Sequence, residues 1–207
     1  MFRNQSLDEF LTELSSRNPT PGGGTASGYA AAMGAALVEM VANVVSARDE
    51  EERRRLGPFI ESCDEFRAEF LAMMDEDSCS FETYMTALHL PKSTDEEKIA
   101  RRKAMQEALK SSTRVPLRLA ARICDFADLF GAVLGEAPKD IASDLYVGAS
   151  MLEAGYEGAA ANVYVNLAYL KEPSFIDETL SAIRQCRQRV RRLDSIKERV
   201  GELLGIL

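Results

Sequence analysis

Pro19-Thr20-Pro21-Gly22-Gly23-Gly24-Thr25, followed without a break by the alanine-rich run Ala26 to Val45, decides how the chain is read. Two prolines favour an extended approach, and three glycines free the backbone to take positive φ. Thr25 stands where an N-cap belongs, its hydroxyl placed to accept from an N–H of the first turn. The spacing predicts a helix from about Thr25 to Ser46. Within it Gly28, Ala31, Ala32, Ala35 and Ala42 are too small to hold a neighbour away, and a helix apolar nearly all round has to be covered on several sides. It is the expected central helix, and a second subunit is one way of covering it.

A helix start built from glycines presents unpaired N–H groups with no side chain in front of them, and the helix dipole favours an anion or a carbonyl oxygen there. The pattern has neither the Walker spacing nor that of a G-x-G-x-x-G after a strand. Two readings stay open: a ligand cradle, or a tight loop that only delivers the chain to its helix.

Upstream, Ser6 with Glu9 forms a capping box, and Leu7, Phe10, Leu11 and Leu14 share one face of a short helix ending near Arg17-Asn18-Pro19. Downstream, the charged run Arg48 to Arg55 is a solvated loop or a helix start. Pro58 suits a first helical position, and apolar spacing continues from Phe59 to Leu88 before His89-Leu90-Pro91-Lys92 stops it. Thr94 with Glu97 is a second capping box, opening a polar surface helix to about Ser112. Pro116 then starts a new helix or kinks a continuing one. Gly135-Glu136-Ala137-Pro138 is a turn. Ile141 to Leu170 is a second Ala- and Gly-rich stretch, with Ser143-Asp144 as its N-cap pair and Gly148, Gly155 and Gly158 marking tight contacts. Pro173 ends it, and a last helix runs from about Ser174 to Leu204. No run alternates with strand period, so the fold class is all-α: a single domain, 1–207, forming an elongated bundle of long helices, expected to be dimeric.

With 46% hydrophobic and 28% charged residues, 207 residues suffice for a substantial core. A net charge of −8 argues against nucleic acid as a partner. Cys63, Cys79, Cys124 and Cys186 lie far apart, and His89 is the single histidine, so neither a disulfide scaffold nor a Cys/His metal site is expected. A reducing cytoplasm is the expected location. The long apolar run carries Glu39 and Asn43 and is mostly alanine and glycine, which makes it a buried helix rather than a membrane span.

Candidate chemistry begins with the consecutive acids Asp75, Glu76 and Asp77, set between apolar turns. A carboxylate beside apolar groups and other carboxylates has its pKa raised and can shuttle protons, although a solvated bend in a long helix has the same sequence. Asn162 and Asn166 are four apart in an apolar helix, so their amides share one face and need partners. Asn43 poses the same question. His89 and Lys92 sit in a helix-ending loop, and neither identifies a reaction by itself.

Taken together, these stretches resemble the formiminotransferase-cyclodeaminase family, in particular its cyclodeaminase domain and the related stand-alone methenyltetrahydrofolate cyclohydrolases. Four blocks carry the likeness in the same order. They are Pro19 to Ser27 with the helix to Asn43, Met74 to Phe81 through Leu90-Pro91-Lys92, Val115-Pro116-Leu117, and Ser143-Asp144 through Asn162-Val163-Tyr164-Val165-Asn166-Leu167. The charged segment Lys92 to Glu107 looks closer to the cyclodeaminase domains than to the shorter cyclohydrolases.

The resemblance implies a dimeric helical bundle with folate near the subunit interface, and it places the family's catalytic aspartate on Asp77. It implies ring closure of 5-formiminotetrahydrofolate to 5,10-methenyltetrahydrofolate with loss of ammonia, or alternatively hydrolysis of the methenyl compound. A non-catalytic folate-binding or scaffold protein is the reading of another class. The expected folate contacts are Gly22, Gly23, Gly24, Asn43, Tyr84, Lys92, Asp144, Asn162 and Asn166. No metal or redox cofactor is expected, and any formiminotransferase would be a separate protein.

Overall fold

The computed structural model describes residues 1–134 and 137–205, and within them the chain forms seven α-helices, two 3-10 turns and no strand. The first helix, α1 (Leu7–Leu14), begins at the expected capping box. The Ser6 hydroxyl accepts from the Glu9 N–H, and the Glu9 carboxylate accepts from the Ser6 N–H. Of its apolar face only Phe10 is buried, against Tyr29, while Leu7 and Leu11 stay exposed.

Helix α2 (Gly23–Ser46) starts two residues earlier than the sequence predicts. Gly22 is its N-cap and Thr25 is its third residue, so Thr25 is not the cap. The glycines are not there for positive φ either, since among the described residues Gly205 alone adopts one. The Thr20–Pro21 peptide bond is cis.

α2 is the central helix, flanked by α3 (Glu50–Leu88) and α5 (Ala142–Leu167). Against α5 the approach is backbone to backbone. A Cβ on Gly34 would stand 2.8 Å from the Gly148 carbonyl oxygen, and one on Gly155 would stand 2.9 Å from that of Ser27. Because Gly34 meets Gly148 whereas Ser27 meets Gly155, the two helices run antiparallel. α2 is long and apolar enough to cross a bilayer, but half of its most apolar window is buried by these neighbours, as in the core helix of a globular fold.

Two prolines lie inside long helices. Pro58 does not open α3, contrary to the expectation from sequence. The N-cap of α3 is Asp49, whose side chain accepts from the Glu52 N–H, and Pro58 sits in the third turn. Both Pro58 and Arg54, whose carbonyl loses its helical partner, are exposed, so water can satisfy that group. Pro116 lies within the continuous helix α4 (Asp95–Leu129), which opens at the expected Thr94–Glu97 capping box. It is buried, and the carbonyl it leaves free, that of Ser112, instead accepts from Asn166 Nδ2 of α5 at 3.0 Å.

α3 and α4 pack through Phe66, Phe70 and Phe126, with ring centroids 5.3–6.4 Å apart. α5 has Ile141 as its N-cap without a side-chain bond, so Ser143 and Asp144 fall in the first turn and do not cap it. Of the turn expected before it, Gly135 and Glu136 lie outside the described residues. The last predicted helix is two helices, α6 (Pro173–Val190) and α7 (Arg192–Leu204), separated at Arg191. Pro173 starts α6, where its missing N–H costs no bond. Ile183, Val190, Leu193, Ile196 and Val200 carry the expected face into the core, whereas Leu203 is exposed.

Candidate active site

Asp77 lies in the C-terminal half of α3, where that helix passes the glycine start of α2. Its carboxylate rests directly on the backbone of Gly24: a Cβ at Gly24 would overlap both carboxylate oxygens and the carbon between them. Close approach is therefore what requires glycine here.

Thr25, fully buried, contacts the same group. Its hydroxyl donates to Asp77 Oδ2 at 3.0 Å, lies 3.1 Å from Ser78 Oγ, and accepts from the Gly22 N–H at 3.4 Å. Burial pushes the Asp77 carboxyl above its ordinary value of 3.8, while the Thr25 hydroxyl and backbone pull it back. The neighbouring acids do not supply the shift, contrary to the reading of the sequence. Asp75 turns to Arg3 at 3.0 Å and Glu76 pairs with Arg118, so helical rotation sends three consecutive acids to three different surroundings.

The cavity beside Asp77 holds about 190 Å³ and is lined by all three glycines, Asn162 and Asn166. A Cβ on Gly23 would lie 3.6 Å from Asn162 Nδ2, which shows how closely the end of α5 approaches the start of α2. Asn162 spends one N–H on the Gly158 carbonyl at 2.8 Å, and Asn166 spends one on that of Ser112. Each amide retains an oxygen acceptor and a second N–H for a ligand. Ser112 Oγ in turn donates to the Ser80 carbonyl at 3.0 Å, so α3, α4 and α5 are pinned to one another beside the cavity.

Two wider hollows adjoin it. One of about 700 Å³ shares Pro19, Thr20 and Phe81 with it and extends past Met85 to His89 and Pro91. Another of about 340 Å³ shares Phe81, Ser112 and Asn166 and reaches Tyr84 and Tyr169. The arrangement is a small polar recess, holding a half-buried acid, that opens through apolar arms. Such a recess can hold a polar heterocycle and move a proton at its inner end.

The sequence-predicted residues divide accordingly. Gly22, Gly23, Gly24, Asp77, Asn162 and Asn166 come together in one cavity, and Tyr84 lines the adjoining one. Lys92 is exposed, next in the chain to Pro91 of the larger hollow. Asn43 and Asp144 are not brought to the recess. They belong to the opposite end of the antiparallel α2–α5 pair, on the order of 27 Å from Gly24 and Asn162 at about 1.5 Å per residue. Sequence reasoning missed Ser78, Ser80 and Ser112. For Ser112 a signal existed: a proline four residues later announces a carbonyl in need of a partner.

The sequence profile of the formiminotransferase-cyclodeaminase family matches residues 6–185. A methenyltetrahydrofolate cyclohydrolase of Methylorubrum extorquens is 39% identical over 186 residues, covering 88% of this chain and 89% of that protein. The formimidoyltransferase-cyclodeaminase of Gallus gallus is 34% identical over 207 residues, covering 97% of this chain but 36% of that longer protein. The crystal structure of formiminotetrahydrofolate cyclodeaminase from Thermotoga maritima superposes with a TM-score of 0.82 at 26% identity, covering 99% of this chain and 98% of that one. With the family profile spanning most of its length and a relative matched nearly end to end, the chain belongs to the formiminotransferase-cyclodeaminase family.

Proposed function

We propose that this enzyme is a formimidoyltetrahydrofolate cyclodeaminase, closing 5-formiminotetrahydrofolate to 5,10-methenyltetrahydrofolate with release of ammonia. The observation that carries the reading is a carboxyl raised by burial and held against the glycine start of α2, inside a recess with two half-used amides. The pterin occupies the recess, where Asn162 and Asn166 read its alternating donors and acceptors. The p-aminobenzoyl-glutamate arm follows the larger hollow toward His89 and Pro91, with Lys92 at its end for the tail's carboxylates.

The chemistry needs two proton transfers. N10 attacks the carbon of the protonated formimino group, N5–CH=NH2+, and forms the new C–N bond, and the ionised Asp77 takes the proton from N10. Protonated Asp77 then gives that proton to the amino group, which leaves as ammonia as the old C–N bond breaks and the methenyl cation forms. One carboxyl returns to its starting state, so no net proton enters or leaves it. The ionised form also offsets positive charge on the amidine carbon.

A second reading, cyclohydrolase action on 5,10-methenyltetrahydrofolate, is favoured by the near end-to-end match to the Methylorubrum extorquens protein. It uses the same recess with water as nucleophile. Following the methenyl absorbance with each folate in turn separates the two. Growth of that absorbance from the formimino compound supports cyclodeaminase action, its decay without ammonia supports the cyclohydrolase, and silence with both leaves a non-catalytic binding protein.

A second copy of the chain completes the assembly in this proposal. Met33 and Val44 of α2 and Val147 of α5 are exposed, and the single charged residue of α2, Glu39, turns away to Arg67 of α3. This face of α2, with Val147 of α5 beside it, is the proposed dimer contact. Light scattering should find a dimer, reduced to a monomer by Met33→Glu with Val147→Glu.

A further inference from the structure

Four polar groups around the start of α2 form a chain whose direction can be worked out by counting donors. The Gly22 N–H can only donate, and it points at Thr25 Oγ1. Thr25 has one hydroxyl proton, and Asp77 Oδ2 at 3.0 Å, as the ionised oxygen, can only accept it. The remaining neighbour, Ser78 Oγ at 3.1 Å, must then donate into the second lone pair of Thr25. Thr25 and Ser78 are 0% and 5% exposed, so water does not offer either hydroxyl an alternative. The order Ser78 to Thr25 to Asp77 Oδ2 satisfies every member, and reversing it sets a Thr25 lone pair against the ionised Oδ2 and leaves the Ser78 proton without an acceptor.

We propose that Thr25, held by Ser78 and the Gly22 amide, is a positioning residue that fixes the Asp77 carboxyl with Oδ2 turned into the protein and Oδ1 left to carry the transferred proton. Protonation on Oδ1 keeps Oδ2 a carbonyl-type acceptor, so the chain of bonds survives both halves of the reaction. Protonation on Oδ2 would turn the Thr25 hydroxyl toward Ser78 Oγ, and the Ser78 proton would then lose its acceptor. Gly24 belongs to the same device, because Oδ1 is the carboxylate atom nearest to where its Cβ would stand. The acid is thus offered to the substrate in one orientation and needs no rotation between accepting and donating.

The inference rests on the proposed role of Asp77, and its test separates the two. The Asp77 titration is followed directly by carbon NMR of the free protein, assigned by loss of its signal in Asp77→Asn, alongside the pH profile of kcat/KM. Thr25→Val keeps the shape of the side chain and removes its hydroxyl. It should move the Asp77 titration and the acid limb of the profile to higher pH and lower kcat about tenfold. Thr25→Ser should restore both. A titration unmoved in Thr25→Val, or a Thr25→Ser protein that behaves like the valine variant, overturns the proposal. Should Thr25→Val fail to fold, Thr25→Ala carries the same expectation and is read against the same serine control. An Asp77→Asn protein with undiminished turnover would remove Asp77 from the chemistry while leaving the titration result standing by itself.

Discussion

The antiparallel pair α2 and α5 has two ends, and both carry polar residues in otherwise apolar sequence. At one end Gly23, Gly24, Asn162 and Asn166 close a recess around Asp77. At the other, Asn43 is exposed and Asp144 half-buried, and neither lines a cavity described above. The residues differ little in kind. What differs is the third helix: α3 turns a half-buried acid toward the first end, and the proline of α4 leaves a carbonyl there for Asn166. A polar group in an apolar helix becomes part of a site only where other elements leave it something to hold.

The largest expected effect comes from the acid itself. Asp77→Asn should lower turnover by about 10²–10⁴-fold, the range for losing a positioned general acid–base. It should also make the protein more heat-resistant at neutral pH. Because burial raises the folded-state pKa, Asp77 ionises at higher pH when folded than when unfolded. Its contribution to stability is therefore lost as pH rises through the window between 3.8 and that raised value. The melting advantage of Asp77→Asn should shrink as pH falls through the same window. An unchanged Tm difference across that range would break the link between burial and proton transfer.

Next comes Gly24→Ala. Its methyl group would displace the carboxylate, and a misplacement of that kind costs about 100-fold in rate. Gly57→Ala is the control, for a Cβ there meets nothing within 4 Å, so it should leave rate alone and stabilise α3 by about 0.5–1 kcal/mol. Equal rates in the two variants would show that proximity to Gly24 does not matter.

The pair of prolines yields a subtler test. Asn166→Leu leaves the half-buried Ser112 carbonyl without a partner, at a cost of about 1–3 kcal/mol in urea unfolding. Adding Pro116→Ala returns a helical N–H to that carbonyl, so the double variant should recover part of the loss. Simple additivity would mean that Asn166 and Pro116 are unrelated. The smallest effects belong to the far end: Asn43→Ala and Asp144→Asn should change turnover less than about twofold. A large loss from either would mean that this end of a second copy reaches the recess.

Local signals were legible in the sequence because capping and periodicity are local physics. Ser6–Glu9 and Thr94–Glu97 mark real helix starts, and the small residues of α2 and α5 mark a real contact. Thr25 misled, since a threonine beside glycines fits an N-cap, and it took the neighbouring α3 to show that its hydroxyl is engaged by Asp77 and Ser78. Periodicity likewise tells which face of a helix is covered and not by what. That is why Asn43 and Asn162 looked alike, and why one of three adjacent acids could be singled out only through family likeness.

Consider finally the backbone contact of α2 with α5 at Gly34 and Gly155. Where helices touch through carbonyl oxygens and glycine carbons, with only Leu152, Val38, Leu37 and Ala31 packed beside the contact, little can rearrange, so this pair behaves as a stiff spine. Widening the recess to admit a bulky guest then falls to the wall opposite, formed by the Phe81 turn of α3 and by α4, whose hydrogen-bond ladder already lacks a rung at Pro116. Traffic through the pocket is a matter for that one side of the protein.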